Sequence, residues 1–176
     1  AANATIGGHD LTYTQPSAGG GASSTATKVF AVQYPSPGLT AVSPTKVVQG
    51  QTGVKLTLTG SQFRDGGVVS LGSGISVKSA SRISDTSFQV TVDVADSAAM
   101  GQHDVSYTQP AGGSSITLPN ALQVDAPTPT ITSVSPTVVE QGATSVDLVV
   151  KGTNFRTGGT FSVSGTGITV NSTSLT

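Results

Sequence analysis

Of 176 residues only 10% are charged, eight basic and nine acidic, for a net charge of −1. With no basic stripe to neutralise phosphates, nucleic-acid binding lacks its main source of affinity, and no polybasic segment or long apolar run supports membrane insertion. Cysteine is absent, which removes disulfides, thiolate catalysis, Cys-ligated zinc and c-type haem attachment together.

The first stretch, residues 1 to 33, carries GHDLTYTQPSAGG (Gly8 to Gly20), which returns as QHDVSYTQPAGG (Gln102 to Gly113). Its opening, AANAT, is not a signal peptide, so any targeting segment is expected to be removed or upstream. YPSPG (34–38) is a Pro-rich joint that favours extended backbone. LTAVSP (39–44) is a short strand stopped by Pro44, with KVVQ continuing it. VKLTLTG (54–60) alternates, with Val54, Leu56 and Leu58 on one face and Lys55, Thr57 and Thr59 on the other, the period of a half-buried strand. Gly66 and Gly67 open VVSL, and ISVKSASRI (75–83) reads as a polar edge strand. SFQVTVDV (87–94) alternates again with Phe88, Val90, Val92 and Val94 inward. HDVSYTQ (103–109) places Val105 and Tyr107 inward, and SITLPNALQV (115–124) holds Pro119, which predicts a bulge or a strand edge. Only ADSAAM (95–100) could form a helical turn. DAPTPT (125–130) is a second Pro-rich joint.

From residue 131 the chain repeats its own middle. TSVSPTVVEQGAT (132–144) answers TAVSPTKVVQGQT (40–52), and GTNFRTGG (152–159) answers GSQFRDGG (60–67). The offsets, 92 to 94 residues, define a period near ninety. Residues 39–124 form one complete unit, 1–33 match only the second half of a unit and 131–176 only the first half of another. Ala1 corresponds to Ala95 and Thr176 to Ile83, so the counterpart of Ser84–Val94 is what the two halves lack. About seven short strands per unit, abundant Gly and Ser/Thr, and turns every eight to twelve residues predict an all-β chain of tandem immunoglobulin-like sandwiches. A unit of this size buries about 60–65% of the surface of its unfolded chain.

ITSVSP (131–136), QG (141–142), SVDLVVKG (145–152) and GTNF (152–155), with the same signature in the middle unit, resemble the IPT/TIG family of bacterial immunoglobulin-like repeats. The resemblance implies a sandwich fold and a role as spacer or interaction module of extracellular or surface proteins. It implies no chemistry.

Residues that invite a chemical role have a simpler reading. Phe63–Arg64 and Phe155–Arg156 precede turn glycines and suit a strand-end plug with an arginine stem over apolar surface. His9–Asp10 and His103–Asp104 are strand neighbours on opposite faces and cannot orient each other as a catalytic pair. No G-x-S-x-G elbow and no phosphate loop occurs. Asp93, Asp96 and Asp125 are the carboxylates that could serve a rim calcium, and Asn3 and Asn171 head glycosylation sequons. No catalytic residue, metal ligand or cofactor is expected, and no enzyme.

Two functions compete. The first is a structural rod, stalk or filament, extracellular or at the cell surface. Its half-units are completed by further repeats of the same chain or by head-to-tail self-association, a contact that propagates because it does not close. Strand addition between copies would cover sticky edges. The stripped inner faces would be Leu11, Tyr13, Phe30 and Val32 on one side and Val146, Leu148, Val150 and Phe161 on the other, with Tyr34 at the joint. The alternative is an adhesin or carbohydrate-binding module, for which Tyr34 and Phe30 are the available aromatics.

Overall fold

The computed structural model describes residues 4–175, so the sequon at Asn3 lies outside the described residues. The strands in chain order are β1 (Gly7–Thr14), β2 (Ser23–Val32), β3 (Gly38–Ser43), β4 (Lys46–Val48), β5 (Val54–Ser61), β6 (Val68–Ser70), β7 (Ile75–Ser84), β8 (Ser87–Val94), β9 (Gly101–Thr108), β10 (Ser115–Asp125), β11 (Thr130–Ser135) and β12 (Val149–Thr153). A single 3₁₀ turn, Ser17–Gly19, is the only helical element among the described residues. The protein is all-β, and it divides into two compact units, one ending at Asp125 and the other beginning at Ala126.

In the first unit β3 to β10 form two four-stranded sheets, in the orders β3-β5-β8-β7 and β4-β10-β9-β6. Alternation in the sequence becomes alternation in burial. Along β8 every second side chain, Phe88, Val90, Val92 and Val94, is buried, and β5 adds Leu56 and Leu58. They face Val105, Tyr107, Leu122 and Val124 of β9 and β10, and each such side chain contributes about 1.5–3 kcal/mol by leaving water. The segment 39–49 does not continue as one strand after Pro44. It changes sheets there, β3 pairing with β5 while β4 pairs in parallel with β10, Val47 opposite Val124. Proline has no N–H for a ladder, so the break between the two sheets falls at that residue.

The bulge expected at Pro119 lies between Leu118 and Leu122, with Asn120 in the left-handed region at φ 52°. The Asp104 carboxylate accepts the Asn120 N–H at 2.8 Å and so holds the bulge. His103 caps the rim, its Nε2 2.7 Å from the Ala99 carbonyl oxygen. ADSAAM makes a turn closed by the Ala98 N–H on the Ala95 carbonyl, not a helix.

β1 and β2 reproduce the β9–β10 hairpin in detail. Lys28, at φ 51°, takes the place of Asn120, and its N–H is accepted by the Asp10 carboxylate at 2.7 Å. His9 Nε2 lies 2.7 Å from the Thr5 carbonyl oxygen. Gly7 opposite Val32 and His9 opposite Phe30 match Gly101 opposite Val124 and His103 opposite Leu122.

In the second unit β11 and β12 repeat β3 and β5 with every pairing shifted by 92. Val134 faces Val150 as Val42 faces Leu58, and the same irregularity follows Ile131 as follows Leu39. Thr132 donates to the Lys151 carbonyl at 3.1 Å, as Thr40 does to Thr59. The counterparts of β4, β6 and β7, near 138–140, 160–162 and 168–175, form no strands. The reason lies in the pairing scheme: β4, β6 and β7 hydrogen-bond to β10, β9 and β8. A strand forms in either half where its ladder partner lies in the same half.

At the turn joining β4 to β5, Asp93 accepts the Gly53 N–H at 2.8 Å, and Lys78 Nζ lies 3.3 Å from its carboxylate. The Gly53 hydrogen bond first, and Lys78 second, hold its pKa below the ordinary carboxylate range. A depressed carboxylate contributes stability above its unfolded pKa, near 4, and loses it as pH falls through the lower folded value. Asp93→Asn is therefore expected to unfold at lower urea than the native chain at neutral pH, with the gap closing below about pH 4. A constant gap across a pH series of urea midpoints would refute this.

Candidate functional site

The repeated motif GSQFRDGG is the corner on which the sandwich closes. A side chain at Gly60 would overlap the Gly38 carbonyl oxygen, and one at Gly67 would overlap the Tyr107 ring, so both positions need glycine for close approach. Phe63 meets Tyr107 edge-on at 4.8 Å and Phe88 at 5.8 Å, with Phe88 and Tyr107 5.3 Å apart. The Arg64 N–H donates to the Tyr107 hydroxyl at 2.8 Å. The Arg64 guanidinium lies 4.3 Å above the Tyr34 ring, a cation–π contact that fastens the Pro-rich joint. Arg82 donates to the Phe63 carbonyl at 2.8 Å and pairs with Asp85 and Asp65. Arg64 and Arg82 therefore bind the chain to itself.

Gln109 was not legible as a structural residue. It is buried, and its Nε2 donates to the Pro35 carbonyl at 2.9 Å and the Gln62 carbonyl at 3.0 Å, tying the joint to the β5 corner. Its only sequence signal is recurrence: Gln15 occupies the same place in the first hairpin.

Among the described residues the candidate side chains are engaged with backbone and with one another. His9 and His103 each bond main-chain carbonyls, and their neighbours Asp10 and Asp104 hold bulges. Among the described residues no three His, Cys, Asp or Glu side chains come together as a metal site. Asp93 is occupied by Gly53 and Lys78, and Asp125 lies 3.9 Å from Lys46. An open depression of about 600 Å³ involves Thr40, Lys46, Gln102, Asn120, Gln123 and Asp125. No described helix is long and apolar enough to cross a membrane.

What distinguishes the surface is the pair of uncovered hairpins. Tyr107 is 0% exposed, whereas its counterpart Tyr13 is 67% exposed. Leu56 is 0% exposed and its counterpart Leu148 45%. Leu11, Phe30 and Val146 are also exposed although they correspond to inward positions of the complete unit. Phe30 stacks on His9 at 5.2 Å. Val32 and Val150 are part-buried, as is Phe161, which meets Phe155 edge-on at 5.5 Å. Tyr34 is part-buried under Arg64. The exposed faces thus run along β1 and β2, and along β12 with the segment leading into it from Val146.

Residues 36–120 match the family model described as quinohemoprotein amine dehydrogenase, alpha subunit domain III. The matched stretch covers most of the complete sandwich, β3 to β9 with the start of β10. What the match shares with the immunoglobulin-like expectation is the β-rich sandwich class; the IPT/TIG family is not the one matched. No curated protein matches the chain.

Proposed function

We propose that the protein is a non-catalytic, extracellular immunoglobulin-like repeat protein of the IPT/TIG kind. Its units build a rod, stalk or filament, and its two half-units are completed by complementary halves, supplied by further repeats of the same chain or by other copies. One observation carries this reading. Each half keeps the strand register of the complete unit, yet leaves in water the apolar row that the complete unit buries. Exposed apolar faces with unpaired strand edges are association surfaces, and the pairing of β9 and β10 with β6 and β4 in the complete unit supports a complementary half as their cover. Where the complementary halves belong to other copies, the contact is heterologous and propagates.

The matched model describes a domain of an amine dehydrogenase subunit. For this chain a scaffold role is favoured, because both histidines and their neighbours Asp10 and Asp104 are engaged in holding backbone. The glycan-binding alternative relies on Tyr34 and Phe30, but Arg64 covers Tyr34 and His9 covers one face of Phe30; the exposed Tyr13 lies in the apolar row proposed here for association.

The test is sedimentation velocity over a concentration series. The native chain is expected to form growing assemblies, and Leu11→Asp with Tyr13→Asp is expected to leave a monomer with its central sandwich intact by circular dichroism. A chain that stays monomeric throughout the series overturns the joining of copies.

A further inference from the structure

The corner around Arg64 keeps polar capacity after it has bound the chain to itself. Tyr34, Phe63, Arg64, Asp65, Arg82 and Pro110 line a depression of about 270 Å³. Among the described residues, two buried side-chain atoms lack a hydrogen-bond partner, Arg64 Nε and Gln109 Oε1. Both belong to this corner, since Gln109 is anchored on the Pro35 and Gln62 carbonyls. A buried N–H without an acceptor is costly, and native folds rarely keep one without a reason.

Arg82, the second cation of the depression, is only partly committed. Its Nε donates to the Phe63 carbonyl and its Nη2 pairs with Asp85. Its Nη1 lies 3.9 Å from Asp65 Oδ2, beyond hydrogen-bond length. The Asp65 side chain is 86% exposed, so an incoming anion can displace it at little cost.

We propose that this depression binds a carboxylate carried on a compact ring, the chemistry shared by sugar acids and cyclic aliphatic acids. Arg64 and Arg82 against Asp65 leave the lining with a net charge of +1, which suits a monoanion better than a phosphate. Guanidinium forks match the planar carboxylate in shape as well as charge. Tyr34, Phe63 and Pro110 offer apolar wall to the body of the ligand. The volume falls below the roughly 300–1,000 Å³ of pockets for larger ligands, so a single ring fits it. Recognition here is by charge and needs no free aromatic face.

The site is particular to the complete unit and does not depend on how the half-units are completed. Arg156 repeats Arg64, but Ala126, Thr157 and Ser174 stand at the places of Tyr34, Asp65 and Arg82.

The test is an NMR titration of the full 176-residue chain, read at the arginine Nε–H resonances. The probes are glucuronate, cyclohexanecarboxylate, uncharged glucose and inorganic phosphate. Saturable shifts of the Arg64 resonance are expected with the two carboxylates and none with glucose, while Arg156 serves as the internal control and stays in place. Binding of one carboxylate alone keeps the site and decides between a sugar acid and a plain ring acid. Arg64→Lys keeps the charge but loses the fork, and is expected to weaken binding about tenfold. Asp65→Asn removes the competing carboxylate at an exposed position, where folding is not at stake, and is expected to tighten binding about threefold. No shift at Arg64 with either carboxylate, equal shifts at Arg64 and Arg156, or affinity unchanged by Asp65→Asn overturns the site. Phosphate binding tighter than both carboxylates overturns the assignment of the ligand.

Discussion

Leu56→Ala is expected to destabilise the complete sandwich by about 2–5 kcal/mol, whereas Leu148→Ala, at the equivalent place in the repeat, is expected to cost the dispersed chain about 1 kcal/mol or less. Leu56 is wholly buried between β5 and the facing sheet, and its removal leaves a cavity that packed neighbours cannot close. Leu148 already meets water over much of its surface. The asymmetry should invert on assembly. Where a complementary half covers it as proposed, Leu148 is buried against the counterparts of β9 and β10, and the missing side chain is then expected to weaken association by about tenfold or more. Urea midpoints of dilute protein and sedimentation of concentrated protein measure the two halves of this statement. Equal unfolding costs for the two variants in dilute solution would contradict the exposed state of the second hairpin. Association unchanged by Leu148→Ala would contradict its burial on assembly.

Gly67→Ala and Gly159→Ala form the second pair. The Tyr107 ring lies against Gly67 and is clasped by Phe63 and Phe88, so it cannot yield to a methyl group. Overpacking of this kind costs about 1–3 kcal/mol. At Gly159 the nearest atom to an added methyl is the Arg156 carbonyl oxygen at 3.1 Å, and no ring stands there. Gly159→Ala is expected to leave the unfolding curve of the dispersed chain close to native. In the proposed joining of halves it should nevertheless block assembly, because there Tyr13 would take the place that Tyr107 takes over Gly67. A Gly159→Ala chain that assembles like the native one would show that the halves join in some other register.

The sequence made the strands that carry alternation plain. Val54 to Leu58 and Phe88 to Val94 are half-buried by their period alone, and the same period selected Leu11, Tyr13, Val146 and Leu148 as an apolar row. It could not show that β3 and β4 lie in different sheets, because a short apolar run interrupted by Pro44 reads the same whether the chain pauses or crosses over. Nor could it show that Asp10 and Asp104 hold bulges or that Gln109 ties down the joint. Those bonds join residues 16 to 74 positions apart, and local pattern carries no record of such distances. The missing strands near 138–140 and 160–162 have the same cause: their apolar character is written locally, but the ladder that would order them is not local.

The parallel pairing of β4 with β10 also sets a clock for biosynthesis. Lys46 opposes Gln123, so the sheet that holds β4 cannot close until 77 further residues have been made. At about 5–20 residues per second that is a delay of roughly 4–15 s. During it β3 and β5 can pair and β8 can join them, while their apolar face waits for the last hairpin to leave the ribosome. Every unit of this kind passes through a stage resembling the second half-unit described above. Chaperone capture by nascent chains arrested shortly before Ser115, and its loss beyond Asp125, would be the mark of that interval.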